Sequence, residues 1–433
     1  MTGVATYTGP FGKQQAERLL WRAGFGPRQG DAEALAKLGL QAAVYSLTRP
    51  AQPEQLVGPA PVTEKGAPVD PINVYGDDHL WWLDRMVRTT TPLVERMTLI
   101  WHSWFATSNT GVGQQGLMIN QNNLFRTNAL GSFATLLSGV TVDPAMLVWL
   151  NGDQNVKSAP NENYGREMME LFTLGADRGA YQQTDVHDNA RALTGWSGSV
   201  TKGVASAFTF VESRHDEGQK TIFGHTGDWG WQDSCNLCLA HPLHPSFFVN
   251  KLWSYFVQTP LDTATSTALQ AVYSNREIQP VVEGILMHPD FYNGPRTVKP
   301  PVVYNAGLLR MRGEYINNSI WWSLGENAGQ QLFYPPDVGG WDYTRWLNTA
   351  TFRARWFMAA VVQGAGTPTS SPSDPQKLVE RVVQFWGFPT VSSTTLNILA
   401  AFAKAQLARK NPAPIVETAM RRILATSPDF QTA

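Results

Sequence analysis

Two carboxylates three residues apart, Glu167 and Glu170, lie in the stretch NENYGREMMELFTLG at positions 161–175. Read as one helix from Asn163 to Leu174, this stretch puts Asn163, Arg166, Glu167 and Glu170 on a single stripe, because positions three and four apart neighbour each other on a helix surface. Carboxylates on adjoining turns can divide general-acid and general-base roles when their environments separate their pKa values. A second helix, capped by Thr184 or Asp185, carries Asp188 and Arg191. The expectation is a cleft in which Glu167 and Glu170 act while Arg166, Arg191 and Asn163 bind the ligand. The alternative is a salt-bridge lattice between the two helices. His215 beside Asp216 is a candidate base with its orienting partner, or a pair of metal ligands. His102 shares a helix face with Glu95 and Thr98, and reads as an auxiliary catalytic group or as a hydrogen-bonded core histidine. Cys235, Cys238, His241 and His244 recur every third residue. On one helix they would spread over roughly 13 Å at about 1.5 Å per residue, too far for one tetrahedral zinc, so no metal is assigned to them.

The elements that must carry these side chains read as mainly α. Gln14–Ala23, Ala32–Leu38, the stretch from Pro92 to Phe105, Leu117–Leu137, Phe247–Val257 and Pro300–Arg312 all show helical patterning, with Pro at several first turns. Glycine and proline punctuate long loops, notably 50–71, which holds six prolines, and 325–347. In the second of these, Trp341 is placed to wall a ligand groove. After Trp196 the composition shifts to Gly, Thr and β-branched residues. There Phe208–Glu212 and Lys220–Phe223 are expected to pair as a small hairpin insertion within about 200–230. The chain is expected to be one large helical domain, 1–433, with a possible C-terminal helical subdomain at 374–433 after a linker at 364–375. No strand–helix alternation, phosphate-cradling Gly loop, G-x-S-x-G or H-E-x-x-H occurs.

The central stretch, with Tyr181, Asp185-Val186, Ala190-Arg191 and Leu193–Trp196, resembles the bacterial family known as domain of unknown function 1800. Further pieces agree: LLWRAGFGP at Leu19–Pro27, WHSWF at Trp101–Phe105, DPAM at Asp143–Met146, RHDEGQKTIFG at Arg214–Gly224, HP at His241-Pro242 with KLW at Lys251–Trp253, and PPDVGGW at Pro335–Trp341. The resemblance covers nearly the whole chain and carries no assigned reaction. It also implies that many relatives are exported. Two positions depart from the pattern. Trp104 stands where the family often has a second His, and Gly165 where it has a small Ala.

A net charge of −1 gives no electrostatic case for nucleic acid or an anionic membrane. No apolar run approaches the roughly 18 residues of a membrane span. The start, MTGVATYTGPFGK, lacks the basic region and apolar core of a signal peptide, so the chain as written is expected in the cytoplasm. Sixteen Trp supply flat faces for stacking on sugar rings as well as for core packing. The favoured function is a hydrolase of a glycan or other hydroxyl-rich ligand. In it Glu167 and Glu170 are the acid and base, His102 and His215 with Asp216 are auxiliary, and Trp196 and Trp341 stack on the substrate. No cofactor is required. The alternatives are a non-haem iron oxidoreductase built from helical carboxylates with His102, His215 and Asp216, and a non-catalytic binding or scaffold protein.

Overall fold

Apolar residues at helical spacing dominate this chain, and the computed structural model, which describes residues 3–364 and 367–433, resolves them into twenty-three α-helices. Part of the expected 364–375 linker, residues 365 and 366, lies outside the described residues. The C-terminal helices Pro375–Phe385, Ser393–Ala408 and Ala413–Ala425 bury Leu378, Trp386, Leu399 and Leu424 in one cluster with Val302, Tyr304 and Met358. A second cluster joins Trp101, Phe105 and Phe133 to Phe172, Phe248 and Ile285. Two helices stand at the seam between these cores. Lys13–Arg22 sends Leu19 and Leu20 to one and Trp21 to the other, and Pro92–Trp104 sends Met97 and Trp101 to one and Leu99 to the other. No helix of the described residues is long and apolar enough to cross a membrane.

Trp21 is pressed at that seam. A Cβ on Gly307 or Gly26 would overlap its indole, so both approaches need glycine. The Lys299 amino group lies over the ring, 3.6 Å from its centroid.

Two local expectations are corrected. The stretch expected as one helix, Leu117–Leu137, is two, Gln115–Thr127 and Phe133–Thr141, broken around Gly131. The hairpin expected between Phe208–Glu212 and Lys220–Phe223 does not form. Thr209–Phe210 instead pairs antiparallel with Trp196–Ser197, and Lys220–Ile222 pairs with His225–Gly227. The reason is turn chemistry. Phe223 and Gly224 both have positive φ (50° and 78°), as do Lys202 and Gly203 (51° and 77°) in the turn between Val200–Thr201 and Val204–Ala205. Two such residues make the two-residue turn that matches strand twist, so each short strand closes on its nearest neighbour.

The central stretch is helical, but not uniformly. Asn163–Glu167 is α-helical and Met168–Thr173 continues as a wider π turn. The Thr173 hydroxyl donates to the Met168 carbonyl, five residues back, at 2.6 Å. Turns of this kind are rare and interrupt the regular facing of side chains.

Candidate functional site

Glu167 ends the α-helical part of the stretch and Glu170 sits in the wider turn. Arg166 lies 3.6 Å from Glu170 and donates to Glu162 and to Gln183, each at 2.9 Å. Burial and the neighbouring Glu170 charge raise the Glu167 carboxyl above its ordinary range, against the pull of Arg166. Arg191 does not join this group. It forks onto Asp216 at 2.7 and 3.1 Å and reaches Asp188 at 3.1 Å. The expected single cleft of Glu167, Glu170, Arg166, Asp188 and Arg191 is therefore two separate ion-pair groups. Asn163 is exposed and donates to Asn151 at 3.1 Å. Tyr181, whose hydroxyl pKa is raised by burial and the nearby Glu170, lines a shallow hollow of about 510 Å³ with Asp185, Asp188 and His241.

The histidines do not converge on the carboxylates. His102 is buried, ringed by Trp82, Phe125, Phe333 and Trp341 at 5.3–6.3 Å between centroids. Burial pulls its pKa down to about 3, which keeps it neutral. His215 Nδ1 faces the Thr194 carbonyl at 2.9 Å. That acceptor requires the proton on Nδ1. Asp216 does not orient His215, because the Arg191 guanidinium holds it and keeps its carboxyl below the usual range. The Trp196 ring packs edge-on to Phe210 and Trp231.

Among the described residues, no three His, Cys, Asp or Glu side chains gather closely enough to hold a metal ion. The ligand set of His102, His215 and Asp216 is thus not assembled. Cys235 and Cys238 are buried, and His244 bonds the Thr173 carbonyl and the Tyr273 hydroxyl, each at 2.9 Å. Trp104, at the position where a second His was expected from the resemblance, fills the core and donates to the Phe172 carbonyl at 3.1 Å.

Trp341 is placed elsewhere, on the wall of a cavity of about 550 Å³ at the seam between the two cores. Trp21, Tyr255, Trp341, Tyr343 and Trp346 line it, together with Ser103, Ser254, Gln258 and Thr297. Three buried basic side chains, Arg22, Arg96 and Lys299, share the lining, and no Asp or Glu of the described residues does; burial holds the Lys299 amine well below the usual lysine range. The wall is fixed from behind by Arg355, fully buried, which donates to the carbonyls of Trp346 (3.1 Å) and Lys299 (2.8 Å) and to the Gln431 side chain (3.0 Å). Neither Glu167, Glu170 nor Trp196 lines this space. Carboxylates and stacking tryptophan, expected in one cleft, belong to different places.

Of the cavity's polar groups, sequence reasoning singled out none of the basic side chains. One signal was legible. Arg96 has Pro92, Leu93, Leu99 and Ile100 at the positions three and four away, so its helix offers no counter-ion. Arg22 and Lys299 carry no such mark. Their placement depends on contacts between segments hundreds of residues apart.

Three stretches that carry the family resemblance meet at this cavity: LLWRAGFGP through Trp21 and Arg22, WHSWF through Ser103, and PPDVGGW through Trp341. No curated protein and no solved structure matches the chain. Residues 18–432 match the family described as protein of unknown function DUF1800, and the chain, matched over nearly its whole length, belongs to that family.

Proposed function

We propose that this protein binds a hydroxyl-rich, ring-bearing small molecule, such as a sugar, in the 550 Å³ cavity. The observation that carries the reading is the make-up of that cavity: aromatic side chains of the 341–347 loop share its lining with the hydroxyl and amide groups of Ser103, Ser254, Gln258 and Thr297. Flat rings offer stacking area at low entropic cost, and a few convergent polar groups fix orientation. Tyr343 is exposed and can be truncated with little loss of core, whereas Trp346 is half-buried and packs against the core. Calorimetric titration with a panel of monosaccharides and their acids is expected to find at least one ligand whose affinity drops about tenfold or more in Tyr343→Ala and Trp346→Ala, with melting temperature preserved in the first. A stacked ring worth about 1.4 kcal/mol gives that factor. Binding unchanged in both variants would end this reading.

A hydrolytic reading is kept second, because Glu167 has a raised carboxyl beside an ion-paired Glu170, and Tyr181, near Glu170, lines an open hollow. A general acid needs its proton near working pH, and burial moves Glu167 in that direction. Once an activity is assayed, Glu167→Gln is expected to lower it by about 10²-fold or more. Full activity in both Glu167→Gln and Glu170→Gln would remove these residues from the chemistry.

A further inference from the structure

We infer that the molecule held in the 550 Å³ cavity carries an oxyanion, a carboxylate or a phosphate, which seats on Arg96. The inference rests on the reading that this cavity binds a sugar-like ligand, and narrows it to acidic sugars and sugar phosphates.

Arg96 is 7% exposed, and among the described residues it makes no hydrogen bond and no ion pair, although its side chain lines the cavity. The other buried arginines are all satisfied. Arg22 donates to the carbonyls of Phe256, Phe291, Pro295 and Ala433. Arg88 pairs with Asp84 at 2.9 Å. Arg310 holds the carbonyls of Gly26, Met86 and Val87, and Arg355 those of Trp346 and Lys299. Burial alone lowers the Arg96 pKa, to about 10, so the group stays a cation at neutral pH. A buried charge without a partner is costly, and a ligand oxyanion would supply the partner that this group lacks.

The surroundings do not oppose an anion. Arg22 lies on the same wall, no acidic side chain of the described residues does, and the Ala433 oxygen is already taken by Arg22; Lys299 lies there too, with burial holding its amine well below the usual lysine range. A guanidinium also offers the planar fork that fits carboxylate and phosphate oxygens. Ser103 follows Arg96 by seven residues, two turns along the Pro92–Trp104 helix, so both address the cavity from one face of that helix. Trp341, Tyr343 and Trp346 supply the ring faces of the cavity. An anion at Arg96 with a hydroxylated ring against those faces uses both halves of the lining.

The test measures wild type and Arg96→Met by calorimetric titration and thermal denaturation, at constant ionic strength, with glucose, glucuronate, glucose 6-phosphate and inorganic phosphate. In the wild type at least one acidic sugar is expected to bind tenfold or more tightly than glucose. In Arg96→Met the preference falls below twofold while glucose binding persists. Glucuronate against glucose 6-phosphate tells which oxyanion the seat prefers. Phosphate alone is expected to raise the melting temperature of the wild type and not of the variant. Phosphate stabilisation with no sugar binding would keep the anion seat and overturn only the sugar reading. Equal affinity for glucose and the acidic sugars, a preference that survives Arg96→Met, or no response to any anion would overturn the anion seat. Without ligand, Arg96→Met is expected to melt at or above the wild-type temperature, because it removes an unpaired buried cation. A marked loss of stability in that variant, and in Arg96→Gln as a check on fit, would mean that Arg96 is satisfied by the protein itself, which also overturns the proposal.

Discussion

Asp143 shows what burial does to one group here. It caps the Pro144–Trp149 helix by accepting from the Met146 amide at 3.0 Å, and accepts from Gln121 at 2.7 Å. Burial outweighs both bonds and pushes its carboxyl up to about 7. An unfolded aspartate titrates near pH ~4. Between those values the folded chain holds a proton that the unfolded chain has lost. The group's contribution to stability is thus fully present below about pH 4 and is lost as pH rises through about 7. Asp143→Asn keeps a good cap and abolishes the titration. The melting temperature of Asp143→Asn relative to wild type is therefore expected to climb between about pH 4 and pH 7 and then level off. A difference that stays constant across that range, read by calorimetry, would contradict the assignment. His102 is the same lesson with the opposite charge. Its residue type reads as a base in the sequence, yet the four rings around it leave it neutral and enclosed. Residue type is legible in a sequence; the dielectric around it is not.

At the scale of elements, the central helical stretch was legible in position but not in pitch. Propensity marks Asn163–Leu174 as helix, and no residue in it announces that the turn widens at Met168. Gly165 is the departure from the family pattern that can be checked most simply. A Cβ there would meet the Ala190 amide nitrogen and the Asn189 side chain at 3.4 Å, ordinary contact distance. Its backbone conformation is helical, so nothing requires glycine. Gly165→Ala is expected to stabilise the protein by about 0.5–1 kcal/mol through the entropy of the unfolded chain. A destabilised variant in denaturant titration would show that the two central helices cannot yield even a few tenths of an ångström. The hairpins near 200–227 failed to match expectation for a related reason. Strand propensity was readable, but pairing was decided by two short turns with left-handed residues at Lys202-Gly203 and Phe223-Gly224.

At the scale of the molecule, the helical class and the family followed from periodicity and motif, because both are written locally along the chain. The cavity was not readable, since its basic side chains come from residues 22, 96 and 299 and its aromatic lining from residues 21, 255 and 341–346. Trp341 alone pointed toward it. The two cores and the helices between them create that space, and the single indole of Trp21 has a further consequence. It borders the 550 Å³ cavity and also a second one of about 320 Å³ near Arg18, Arg296 and Asp429, and Lys299 is common to both. With Lys299 and Ala433, this ring is a wall that the two spaces share, and Gly26 and Gly307 leave it no slack on their side, so any change in its size would be felt in both cavities at once.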